Sequence, residues 1–232
     1  MAVRENNPYT NALTTFSTMY SVSEVESLCD YEKKDIVETF RKSGLHGETW
    51  PKTVYAIVTC KVDNTKRGFS SQNTFNGPHA ETKMVMYLRE KVRDGSLSSN
   101  QSITMYVNYS PCHDCSRDIG SLVVTQLRAH SVRLEVVVAC LYKIGRPSCG
   151  SCFTHRMPNK QDHDRNVEGL IGLQNVGVVV RTINGQDWNT LIQQVLEVDG
   201  FIYNGSTRQE EDWKMKSDLQ TVLIEGEIIS SF

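Results

Sequence analysis

Residues 102–116 read SITMYVNYSPCHDCS, and within this stretch the chain changes its period. Ser102 to Ser110 is rich in β-branched and aromatic residues and reads as a strand. Pro111 stands directly before Cys112, and from there Cys115, Ile119, Leu122, Val123 and Leu127 recur at helical spacing, so Cys112 opens a helix. The two thiols, Cys112 and Cys115, are spaced C-x-x-C. That spacing serves a redox pair, one edge of a disulfide framework, half of a structural zinc knuckle, or part of a catalytic metal site. The motif alone leaves the four open.

The same alternation extends in both directions. TVYAIVTCKV, Thr53–Val62, reads as a strand; NTFNGPH supplies turn formers; AETKMVMYLREKV then forms a helix with Met84, Val85, Leu88 and Val92 on one side. VRLEVVVACLY, Val132–Tyr142, is almost uniformly apolar, as expected of a strand covered on both faces. Residues 143–164 are turn-rich. A helix around Asn166–Gln174, the strand VGVVVRTI ending at Ile183, the helix DWNTLIQQVLEV and a last helix over Glu211–Leu223 complete the chain. Near the start, Val22, Val25, Leu28, Ile36, Val37 and Phe40 are spaced helically, with an interruption around Asp30–Asp35. Strands separated by helices predict an α/β fold whose sheet contains some parallel pairs and carries helices on both faces. One domain over residues 21–232 holds them all, with residues 1–20 as an N-terminal extension.

Composition supports a globular protein. The chain has 232 residues, 39% hydrophobic and 22% charged, enough for one well-packed core and against wholesale disorder. The first twenty residues lack the apolar run of a signal peptide, and no stretch approaches the ~18 consecutive apolar residues of a membrane span. The expectation is an intracellular protein, cytoplasmic or nuclear, not secreted, with no membrane partner. The sequons at Asn100, Asn108 and Asn204 are then chance matches. Seven cysteines fit a reducing compartment better than a disulfide scaffold. A net charge of −2 gives no general pull toward nucleic acid, so a polyanion requires a local patch. Lys61, Lys66 and Arg67 form one candidate; Lys143, Arg146, Arg156, Lys160 and Arg165 form another. RQEEDWKMKSD near the C-terminus mixes signs and reads as a solvated helix face.

A second motif bears on the thiols. His79, Ala80 and Glu81 spell H-x-E at the start of one helix, and Pro111, Cys112 and Cys115 spell P-C-x-x-C at the start of another. An H-x-E alone is common by chance. Together, one imidazole and two thiolates make three protein ligands for Zn²⁺ with a fourth position left for water. Glu81, in the same turn as His79, can approach that water without binding the metal. Helix N-termini favour thiolate over thiol.

This order of motifs resembles the zinc-dependent cytidine deaminase superfamily. ITMYVNYSPCHDC, LEVVVACLY, VGVVVRTI and DWNTLI extend the likeness to the AID/APOBEC-like polynucleotide cytidine deaminases over about Ser21 to Leu223. The resemblance implies a three-layer α-β-α fold, a mixed five-stranded sheet flanked by about six helices. It implies zinc on His79, Cys112 and Cys115, Glu81 as the catalytic proton carrier, and single-stranded DNA or, less favoured, RNA as partner, with a monomer favoured. Tyr109 stands where the family has a tryptophan flanking the base, and Tyr142 where an aromatic stacks on the target nucleotide. Thr53 and Asn76, or Asn73, take the positions that touch the sugar; the Ala80 amide and the Ser110 carbonyl take those that read the base edge. The segment after Tyr142, residues 143–164, is longer here and holds a second C-x-x-C, Cys149 and Cys152, with His155 and His163 nearby. These four are a permitted ligand set for a structural zinc, though the Cys-to-His spacing is shorter than in finger motifs; exposed thiols and a regulatory disulfide are the alternatives.

Overall fold

The computed structural model describes residues 21–45, 48–73, 76–148, 159–199 and 207–230. Residues 1–20 and residues 149–158, which include Cys149, Cys152, His155 and Arg156, lie outside the described residues. Six strands and six α-helices are formed among those described. The strands are β1 (Ser23–Glu24), β2 (Tyr55–Val62), β3 (Thr65–Gln72), β4 (Ser102–Val107), β5 (Arg133–Val138) and β6 (Val179–Thr182). The helices are α1 (Asp30–Lys42), α2 (Ala80–Arg93), α3 (His113–Thr125), α4 (Lys160–Asn175), α5 (Gly185–Asn189) and α6 (Thr207–Ser230). Helix α5 runs on into a wider turn over Thr190–Val195.

The strands join in the order β1-β3-β2-β4-β5-β6 in one mixed sheet. β2 is antiparallel to both β3 and β4, while β4, β5 and β6 are mutually parallel. The sheet therefore has six strands rather than the expected five. Two strands are absent from the sequence reading, the two-residue β1 and β3, TKRGFSSQ, in which Phe69 is the one large apolar residue. β3 is held by its register against β2, from Tyr55↔Gln72 to Val62↔Thr65. The two residues that turn the hairpin, Asp63 and Asn64, have φ of 50° and 62°. That is the left-handed pair of a two-residue hairpin turn, which Asp and Asn tolerate.

Period-two alternation sends successive side chains to opposite layers. Ala56, Val58, Cys60 and Val62 of β2, with Leu134, Val136 and Val138 of β5, pack in one cluster with Met84 and Leu88 of α2, Ile119 and Leu122 of α3, Leu170 of α4 and Leu219 of α6. Ile57 and Val137 face the other way, onto Ile36, Val37 and Phe40 of α1 and Trp188 of α5. Helices thus cover both faces, and β5 is buried on both sides as its apolar run predicts. The N-terminal stretch expected as one interrupted helix divides into β1, a single turn at Val25–Ser27 and α1. Arg146, expected in a surface patch, is buried, with Nη2 2.5 Å from Glu211 Oε1 and Nε 2.8 Å from Asp218 Oδ2. The C-terminal stretch expected as a solvated face buries Arg208, Glu211, Asp212 and Asp218. Arg208 and Asp212 pair within the helix, while Arg146 and Ser148 for Glu211 and Asp218, and the Ser43 and Ala139 carbonyls for Arg208, are partners that an isolated helix would lack.

The strand directions matter most for the site. β3 and β4 both run opposite to β2 and therefore parallel to each other and to β5. The chain leaving β3 leads to His79, the chain leaving β4 to Cys112, and the chain leaving β5 to Tyr142. All three emerge at the carboxyl-end edge of the sheet, the edge at which open α/β sheets place ligands.

Candidate metal centre

His79 and Cys112 each occupy the extended residue immediately before a helix, with φ/ψ of −64°/157° ahead of α2 and −69°/168° ahead of α3. Cys115 lies one turn into α3, so both thiols project from the same helix end. Ligand atoms at about 2.0 and 2.3 Å from one tetrahedral ion stand about 3.5 Å apart. Nδ1 of His79 is 3.6 Å from Cys112 Sγ and 3.3 Å from Cys115 Sγ, and the three ligand atoms lie within 4.8 Å of one another. This trio is the one cluster of metal-ligating groups among the described residues. Its donor set and its spacing fit zinc; the imidazole nitrogen that faces the sulfurs is Nδ1, which motif spacing cannot reveal.

The protonation chemistry points the same way. The Cys112 thiol is pulled down to about 5, chiefly by its hydrogen bond with Cys115. The same bond, with burial, pushes Cys115 up. The pair releases one proton readily and resists the second, because two buried negative charges would share one spot. A divalent cation removes that cost, which is how metal binding and thiol ionisation couple.

Glu81 completes the arrangement. Its side chain is buried, and Oε2 has no hydrogen-bond partner among the described residues. Burial raises its pKa to about 7, with the Cys112 charge adding to the rise. A buried carboxylate oxygen left unpaired costs free energy unless something occupies the space before it.

Several groups that sequence reasoning missed hold these residues in place. Ser71 Oγ donates to Ala80 O at 2.8 Å, and Lys83 Nζ donates to Gln72 O at 2.8 Å, so the end of β3 clamps the first turn of α2. Thr82 Oγ1 sits 3.6 Å from Cys115 Sγ. Asn108 is fully buried; its Oδ1 accepts from Tyr55 N at 2.8 Å, and its Nδ2 donates to Ser43 Oγ and Thr53 O, each at 3.1 Å. No periodicity marks these positions, since a polar residue in a loop or a strand end is the commonest thing a sequence contains. The Asp-Asn pair before β3 is the signal through which Ser71 could have been found.

The other expected site residues are placed as follows. Ala80 is buried at the first position of α2. Ser110 is buried, and its Oγ accepts from Tyr142 N at 2.8 Å. Tyr142 is half-buried, with Lys143 Nζ 5.5 Å from its ring centroid. Tyr109 is buried and donates from its hydroxyl to Pro51 O at 2.8 Å, its ring 6.2 Å from that of Tyr142. Thr53 precedes β2 and offers its carbonyl to Asn108. Asn76 is exposed, at φ 56° in the turn before His79, whereas Asn73 is committed to Val54, whose N–H donates to Asn73 Oδ1 at 2.8 Å.

Of the second proposed ligand set, His163 alone lies among the described residues. Its Nδ1 accepts from Gly145 N at 3.0 Å. Among the described residues no helix is long and apolar enough to cross a membrane. No family model matches this chain, and no curated protein matches it significantly.

Proposed function

We propose that the protein is a zinc-dependent cytidine deaminase, AID/APOBEC-like, that converts cytidine to uridine in single-stranded polynucleotides, DNA in preference to RNA. The observation that carries this reading is Glu81. A structural zinc has no use for a buried carboxylate with a free oxygen one helical turn from its ligands, whereas a hydrolytic site requires one. When bound by His79, Cys112 and Cys115, Zn²⁺ supplies an open coordination position and acidifies water near neutral pH.

The chain's own residues do the rest. Glu81 carries one proton of the attacking water to N3 of the base, then carries the proton of the new C4 hydroxyl to the amine; the bond from C4 to the amine nitrogen breaks, ammonia leaves and uracil remains. A carboxyl held near pH 7 by burial can both accept and donate at that pH. The Ser110 carbonyl and the Ala80 amide orient the base edge, Tyr142 stacks on the ring, and Thr53 and Asn76 contact the sugar. A base inside a duplex is out of reach of such a site, so the substrate is single-stranded or flipped.

The test is direct. Purified protein is incubated with a cytosine-containing single-stranded oligonucleotide and, separately, with free cytidine, and uracil is scored. Uracil in the oligonucleotide is expected. Uracil from the free nucleoside alone would replace this reading with a nucleoside deaminase, and zinc binding with no turnover on either would replace it with a silent nucleic-acid-binding protein.

A further inference from the structure

Helices α3 and α4 approach closely where Gly169 faces the start of α3: a Cβ built on Gly169 would lie 2.9 Å from the His113 backbone. One turn earlier in α4, the buried Asn166 therefore reaches the site. Its Oδ1 accepts from His113 N at 3.0 Å, and its Nδ2 donates to Tyr142 O at 3.1 Å. The assignment of the amide is unambiguous, since a backbone N–H must meet the oxygen and a carbonyl must meet the NH₂. Tyr142 N in turn donates to Ser110 Oγ at 2.8 Å. The chain Ser110–Tyr142–Asn166–His113 thus closes a ring around Pro111 and Cys112. One side of the ring holds the first amide of the helix that carries the thiols. The other fixes Tyr142 through both of its backbone polar groups.

From this ring we infer that Asn166 is a positioning residue that sets Tyr142 relative to the metal ligands, so that the aromatic ring and the reacting base meet in one geometry. It touches neither metal nor substrate. Its amide is the one side chain in the ring able to accept from α3 and donate to the Tyr142 carbonyl at once. The inference rests on the deaminase reading for what Tyr142 binds, but the ring stands without it.

Two variants separate the two halves of the role. Asn166→Asp keeps an acceptor for His113 N, favoured at a helix N-terminus, but sets an oxygen against the Tyr142 carbonyl. Zinc content should stay at wild-type level, KM for a single-stranded oligonucleotide should rise about tenfold, and kcat should change less than about twofold. In a Tyr142→Ala background the same substitution should leave KM unchanged, because the ring it positions is gone. Asn166→Leu removes both bonds, and the His113 amide should then lose its protection against hydrogen exchange, which Asn166→Asp retains. An unchanged KM in Asn166→Asp, or an equal rise with and without the Tyr142 ring, overturns the inference. If the wild type deaminates nothing, the proposed activity has failed. The positioning role is then judged by amide exchange at Tyr142, which should quicken in Asn166→Asp, and an unchanged rate there overturns it.

Discussion

Two of the places where the described residues bury carboxylates are treated oppositely. Beneath α6, Asp218 accepts from Arg146 Nε at 2.8 Å, from Ser148 N at 2.8 Å and from Ser148 Oγ at 2.7 Å, and Glu211 pairs with the same guanidinium. Burial works against the Arg146 charge, yet these bonds hold its pKa above the ordinary value. At the carboxyl-end edge of the sheet, Glu81 is as deeply buried and keeps one oxygen unpartnered among the described residues. Buried charge that serves the fold is saturated with partners, because anything less costs several kcal/mol. Buried charge kept incomplete is a sign of a group waiting for a ligand, and the raised pKa of Glu81 follows from its burial, with the Cys112 charge adding to it.

The sharpest way to break this contrast is Glu81→Gln. The proposed deaminase activity should fall by about 10²–10⁴-fold, while metal content matches the wild type and unfolding stability holds or rises, since a carboxylate with an unpaired oxygen has been neutralised. A protein destabilised by this change would place Glu81 with the structural group. Asp218→Ala should behave conversely, losing about 3–5 kcal/mol of stability because Arg146 is left short of a partner; denaturant unfolding reads the loss, and metal analysis should find the same content as in the wild type. Gly169→Ala probes the edge of the site without touching a ligand. The new methyl forces α4 away from His113 and should cost about 1–3 kcal/mol, with weaker zinc affinity in competition against a chelator.

The smallest effect is expected from a half-buried pair that belongs to neither region. Glu38 is held at about 2, first of all by its hydrogen bond with Arg41. Its folded value lies below its unfolded one, so its stabilisation is present above about pH 4.5 and is lost as the pH falls toward 2. Water and salt screen the pair, and Glu38→Gln should cost only about 0.3–0.5 kcal/mol at pH 7, vanishing in melts at pH 2.

Much of the architecture was legible because burial imposes a period. The apolar run at Val132–Tyr142 announced a strand covered on both faces, and the helical recurrence from Cys115 to Leu127 announced α3. Strand β3 was not legible, because edge-side pairing tolerates polar residues and its place is fixed by hydrogen bonds to β2 rather than by apolar alternation. The charges of α6 were misread for a related reason. Their partners Arg146 and Ser148 lie about seventy residues away in sequence, and a mixed-sign helix looks the same whether it meets water or a guanidinium.

For the site, the residue types and spacing, together with the family resemblance they carry, pointed to His79, Cys112 and Cys115 as a ligand set and to Glu81 as the group beside it, because H-x-E and P-C-x-x-C each confine their side chains to one helix end. Whether the two helix ends meet is a long-range matter. That was decided by the parallel course of β3, β4 and β5, which delivers His79, Cys112 and Tyr142 to one edge. Only the packed structure brings Asn166 and Gly169 of α4 against that edge, since contacts between elements depend on how whole layers stack and not on any local pattern.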